Sequence, residues 1–113
     1  MNKYKYLTNK ETQALDLLIR NLRRHLKDQL VRIQLFGSKT KGNFSPDSDI
    51  DVLLIVRQRT EEVLERIAEL HLKVDLKYDP HISLIIFSEH EYLQNEAFES
   101  PFIKNINREG ILL

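Results

Sequence analysis

The stretch Leu35-Phe36-Gly37-Ser38-Lys39-Thr40-Lys41-Gly42-Asn43-Phe44-Ser45-Pro46-Asp47-Ser48-Asp49-Ile50-Asp51-Val52-Leu53-Leu54-Ile55-Val56 decides how the rest of the chain is read. It has the form of a strand end, a glycine-containing turn, a short connector and a second, strongly apolar strand. Side chains alternate along a strand, so Asp49 and Asp51 project to one face while Ile50 and Val52 project to the other. Two neighbouring carboxylates raise each other's pKa unless a cation lies between them. Oxygen donors of this kind suit Mg²⁺, which is held by one or two carboxylates together with substrate phosphates. Gly37 lets the backbone approach a ligand closely, and the N–H groups of a turn or helix start around Gly37-Ser38 form an anion site. Lys39 and Lys41 flank that site. Taken singly, Gly37-Ser38 is a plain turn and the acid pair a solvated strand edge. Acids leading directly into the apolar run from Val52 to Val56 are a different matter, because such a pair is costly beside a buried strand unless satisfied.

Gly37-Ser38, ten intervening residues and Asp49-x-Asp51 resemble the signature of the polymerase β-like nucleotidyltransferase superfamily. The likeness is greatest to its minimal single-domain branch, the MNT proteins that pair with HEPN-domain partners. Gly42 and the Ser48-Asp49-Ile50-Asp51 run fit the same context. The resemblance implies Mg²⁺, or Mn²⁺, on Asp49 and Asp51, with ATP as donor. It assigns nucleotide or phosphate contacts to Gly37, Ser38, Lys39, Lys41 and Ser48. It also implies transfer of AMP to a hydroxyl, on a HEPN-type partner, by a protein acting as an antitoxin. Lys41 departs from the arginine common in the family; it supplies charge without the planar fork. A second departure is larger. Such enzymes use a third carboxylate on a later strand, and here that strand reads His81-Ile82-Ser83-Leu84-Ile85-Ile86-Phe87. Ser83 or His81 occupies the expected place, and Asp75 or Asp79 would serve only if the strand began earlier. A non-catalytic or weakly catalytic module that sequesters a partner protein is therefore the alternative reading. Small-molecule adenylylation is a weaker third, with no second domain to close over a drug.

Length and composition set the frame. The 113 residues fit one domain, 1–113. Lys plus Arg and Asp plus Glu each number 17, so the basic footprint of an extended nucleic-acid binder is missing. There is no cysteine, and hence neither disulfide nor thiolate zinc site. The N-terminus lacks a signal-peptide core, and no apolar run reaches membrane-spanning length. These features lead to the expectation of a cytoplasmic protein.

Thr8 and Glu11 form a capping box, and Leu15, Leu18, Ile19, Leu22 and Leu26 recur at helical spacing, predicting a helix over 9–28. Val31, Ile33 and Leu35 alternate with Arg32, Gln34 and Phe36 in a half-buried strand ending at Gly37. A short helical turn is expected over 38–43 and a loop over 45–47. Acids after Thr60 open a second helix, continued by Val63, Ile67, Leu70 and Val74 to about Lys77. A third strand spans 81–87, and a second capping box, Ser88 with Glu91, opens a helix to about Asn95. Ser100-Pro101 starts the last helix. Gly110 closes it. Ile111 to Leu113 reads as a small edge strand. The order predicts an α/β (α+β) fold, a small mixed sheet with helices packed on it. Unpaired sheet edges near the C-terminus leave room for a homodimer.

Overall fold

The computed structural model describes residues 4–37, 40 and 49–113. Helix α1 (Asn9–Leu26) leads through a 3-10 turn (Lys27–Gln29) into β1 (Leu30–Phe36), followed by β2 (Ile50–Val56). Helix α2 (Glu61–Tyr78), β3 (Ile82–Ser88), α3 (Glu89–Ala97), α4 (Pro101–Glu109) and the two-residue β4 (Ile111–Leu112) complete the chain. The sheet runs β3-β2-β1-β4. β1 is antiparallel to β2 and β4, whereas β2 and β3 are parallel, so the sheet is mixed.

Strand β2 is the centre of the molecule because it is apolar on both faces. Ile50, Val52, Leu54 and Val56 join Leu15, Leu18, Leu22, Ile33, Leu35, Ile67 and Val74 in the core under α1 and α2. Leu53 and Ile55 turn the other way and pack with Tyr92 of α3 and Ile103 and Ile106 of α4. Full burial of each such aliphatic side chain contributes about 1.5–3 kcal/mol. Asp51 projects from the same side of β2 as Leu53 and Ile55, and therefore towards the α3/α4 layer.

Both capping boxes form reciprocally: Glu11 N–H donates to Thr8 Oγ1 while Thr8 N–H donates to Glu11 Oε1, and Ser88 with Glu91 repeats the pattern. Several boundaries differ from expectation for local reasons. Helix α1 stops at Leu26 because Lys27 takes φ 48° and the chain tightens into the 3-10 turn. The β1–β2 register shifts between Leu30 and Arg32, which expels Val31 to 39% exposure and gives its inward place to Leu30. This is the effect of one extra residue in an antiparallel strand. Helix α3 runs on to Ala97. Gly110 does end α4, yet at φ −70° it needs no left-handed freedom. What it needs is space, since a Cβ there would stand 2.5 Å from the Ile106 carbonyl oxygen.

Candidate active site

The site lies where β1 ends and β2 begins. Phe36 pairs with Asp51 across the antiparallel ladder, so the next residue, Gly37, turns the chain directly over the Asp51 carboxylate. Gly37 adopts φ +85°, and a Cβ on it would overlap Asp51 Oδ2. Glycine is required here twice, by the left-handed backbone and by the close approach. The turn is tightened by Thr40, whose N–H and Oγ1 both donate to the Gly37 carbonyl oxygen, at 3.1 and 2.7 Å. Thr40 was not singled out by its sequence context; a threonine three residues after a turn glycine carries little signal by itself.

Asp49 is exposed just before β2, and Asp51 is half-buried within it. Burial pushes the Asp51 carboxyl above the ordinary aspartate range, and the Asp49 charge pushes it further. Among the described residues, no cationic side chain pairs with either acid. Two hard oxygen donors in mutual repulsion, one desolvated against a glycine, fit a divalent cation such as Mg²⁺ or Mn²⁺. Ser38, Lys39, Lys41 and Ser48, the other residues expected at the site, lie outside the described residues.

The parallel register of β2 and β3 sets Ser83 beside Asp51 and places His81 just ahead of the strand, its carbonyl accepting from Ile50 N–H at 3.0 Å. A third carboxylate on this strand would have to stand where Ser83 does. β3 begins at Ile82, so neither Asp75 nor Asp79 is part of it. Asp75 lies 3.5 Å from His71 Nε2 on α2, the helix packed on the opposite face. Asp79 is the left-handed C-cap of that helix, its N–H donating to the Asp75 carbonyl. No cluster of three or more metal-ligating His, Cys, Asp or Glu side chains occurs among the described residues.

Also bordering Gly37, a cavity of about 210 Å³ is lined by Phe36, Gly37, Phe102, Asn105, Ile106 and Glu109. Its α4 residues lie more than sixty positions from the glycine turn, so pattern along the chain did not connect them with it.

Glycine turn, acid pair and apolar strand thus meet in one corner of a mixed sheet, and the profile of the nucleotidyltransferase domain matches residues 15–112. The chain belongs to the nucleotidyltransferase domain family. Two relatives from Methanocaldococcus jannaschii, both provisionally named protein adenylyltransferase, match most of its length. One is 33% identical over 87 residues, 76% of this chain and 81% of the relative. The other is 29% identical over 103 residues, 91% of this chain and 97% of the relative. A crystal structure described as a toxin–antitoxin with AMP-PNP shares the fold, with TM-score 0.54 and 20% identity over 93% of this chain and 72% of that one. The protein is a nucleotidyltransferase with an α+β fold. No helix among the described residues is long and apolar enough to cross a membrane.

Proposed function

We propose that this nucleotidyltransferase moves AMP from ATP to a hydroxyl of a partner protein, a HEPN-type toxin that it thereby holds in check as an antitoxin. The observation that supports the transfer centre most strongly is the closure of Gly37, at φ +85°, onto the carboxylate of Asp51. That contact joins a backbone turn suited to phosphate and an acid suited to a cation in one small volume. The choice of AMP and of a protein acceptor draws on the names of the two M. jannaschii relatives. The toxin–antitoxin setting draws on the likeness in fold to the toxin–antitoxin crystallised with AMP-PNP.

Asp49 and Asp51 would hold Mg²⁺, with Mn²⁺ as a substitute. The bound cation supplies charge neutralisation for the triphosphate and for the leaving pyrophosphate. The Gly37-Ser38 turn would direct its N–H groups at the β- and γ-phosphates, and Thr40 keeps that turn closed through the Gly37 carbonyl. Lys39 and Lys41 would offset the charge that builds on the departing pyrophosphate, and Ser48 would add a hydroxyl contact. The acceptor oxygen bonds to the α-phosphorus as the bond from that phosphorus to the α–β bridging oxygen breaks; pyrophosphate departs with that oxygen, and the hydroxyl proton passes to solvent. Catalysis of this kind depends on positioning and electrostatics, which a chain of this size can supply for the donor.

Ser83 in register with Asp51 favours a second reading, partner binding with little transfer. Intact mass spectrometry of the copurifying partner, with and without ATP and Mg²⁺, separates the two. A mass gain of one or more AMP units that disappears in the Asp49→Asn, Asp51→Asn double variant supports transfer. A stable complex with no added mass supports sequestration.

A further inference from the structure

If phosphates sit at the Gly37 turn, the nucleoside must lie within reach, and a concavity among the described residues shares that glycine. We propose that the cavity between Phe36, Gly37 and α4 receives the nucleobase of the nucleoside triphosphate, stacked on Phe102. This inference rests on the phosphate reading of the Gly37 turn.

Phe102 is 37% exposed although the neighbouring Ile103 is fully buried in the α4–sheet core. Its ring is held in place from two sides: the Phe36 ring lies 5.5 Å away at 87° and the Phe87 ring 6.3 Å away at 88°. Such edge contacts are favourable and directional. They leave a large aromatic surface both exposed and pre-oriented, so little ordering cost remains when a flat ligand arrives. Every base has a π-face, and stacking on an aromatic side chain is a general way to hold one.

The polar groups at the cavity add an edge. Asn105 Oδ1 accepts from Arg108 Nη2 at 2.9 Å, which leaves the amide nitrogen, a donor of two hydrogens, for another partner. Glu109, on the same cavity wall, faces Arg108, whose Nη2 lies 3.8 Å from Glu109 Oε1. The Asn105 amide donor suits a base edge that presents a ring-nitrogen acceptor. An apolar hollow with a few convergent polar groups is the usual form of a small-molecule site.

Calorimetric titration of the whole chain in Mg²⁺ buffer, with ATP and separately with inorganic tripolyphosphate, tests this. Phe102→Ala is expected to weaken ATP binding about 5- to 150-fold, the range for loss of one base stack, and to leave tripolyphosphate affinity unchanged. Phe102→Trp, which keeps a stacking surface, is expected to retain ATP affinity and so to exclude a general folding defect. If Phe102→Ala weakens both ligands alike, or weakens neither, the nucleobase inference is overturned while the phosphate site stands. If the unsubstituted protein binds neither ligand, the phosphate reading fails and takes this inference with it.

Discussion

Gly37→Ala probes the corner of the site most sharply, because the structure separates its cost into two parts. The first is backbone: φ is +85°, and an L-residue in left-handed geometry costs roughly 1–2 kcal/mol. The second is steric: the new methyl would fall on Asp51 Oδ2 and stand 3.2 and 3.3 Å from Asp51 Cγ and Cβ. Overpacking of this kind costs about 1–3 kcal/mol, and the lower half applies because the carboxylate end can swing. The expected total is about 2–4 kcal/mol. For a domain of this length that lowers the melting temperature by roughly 4 °C per kcal/mol, which leaves the protein folded at room temperature. Transfer should suffer more, by about 100-fold, since the methyl displaces a group whose placement matters at the ångström scale. The decisive assay is a double-mutant cycle with Asp51→Ala, read by thermal or denaturant unfolding. Removing the carboxylate removes most of the overlap, so Gly37→Ala should then cost only the backbone part. An equal penalty in both backgrounds, or none in either, would refute the idea that Gly37 is shaped to Asp51.

Other outcomes follow from particular contacts. Burial and the neighbouring Asp16 push the Tyr4 phenol up to about 12; the native state therefore keeps a proton that the unfolded chain loses above about pH 10, and stability falls as pH rises through that window. Tyr4→Phe should flatten the alkaline fall in melting temperature, and parallel curves for the two proteins would count against it. Ser83→Asp, beside Asp51 in the parallel ladder, should lower stability without divalent cation and raise Mn²⁺ affinity by calorimetry; unchanged affinity would separate Ser83 from the cation site. Ser88→Ala removes the N-cap of α3 and should cost about 1 kcal/mol. The hydrogen bond from the Ser88 backbone N–H holds the Glu91 carboxyl below its usual range, so its contribution is present at neutral pH and lost as pH falls through the native value. Glu91→Gln should accordingly lose stability at neutral pH and show a shallower acid decline; an acid profile identical to that of the unsubstituted protein would contradict this.

The elements were legible wherever local chemistry dominated. Thr8 with Glu11 and Ser88 with Glu91 marked two helix starts, Pro101 a third, and the run from Ile50 to Val56 the central strand. The acid pair and Gly37 were legible for the same reason, since a glycine turn and carboxylates abutting a buried strand are each locally costly. Long-range pairing was not legible. Nothing in the order of residues indicates that β3 joins β2 in parallel; the family resemblance narrowed the expected third-acid place to Ser83 or His81, and the register then set Ser83 beside Asp51. The displacement of Val31 by one extra residue also depends on the partner strand, and the alternation Val31, Ile33, Leu35 pointed the wrong way for its first member. The cavity beside Gly37 depends on α4 folding back over Phe36, a contact between segments far apart in the chain.

Whether the corner formed by Gly37, Asp49 and Asp51 transfers a nucleotidyl group is the question on which the rest depends. Incubating the protein, together with any protein that copurifies with it, with ATP labelled at the α-phosphate, and in parallel at the γ-phosphate, answers it. The expected result is label on the partner from the α position alone, dependent on Mg²⁺ and abolished by Asp49→Asn with Asp51→Asn. Label from the γ position, or α-label that persists in the double variant, would contradict nucleotidyl transfer at this corner.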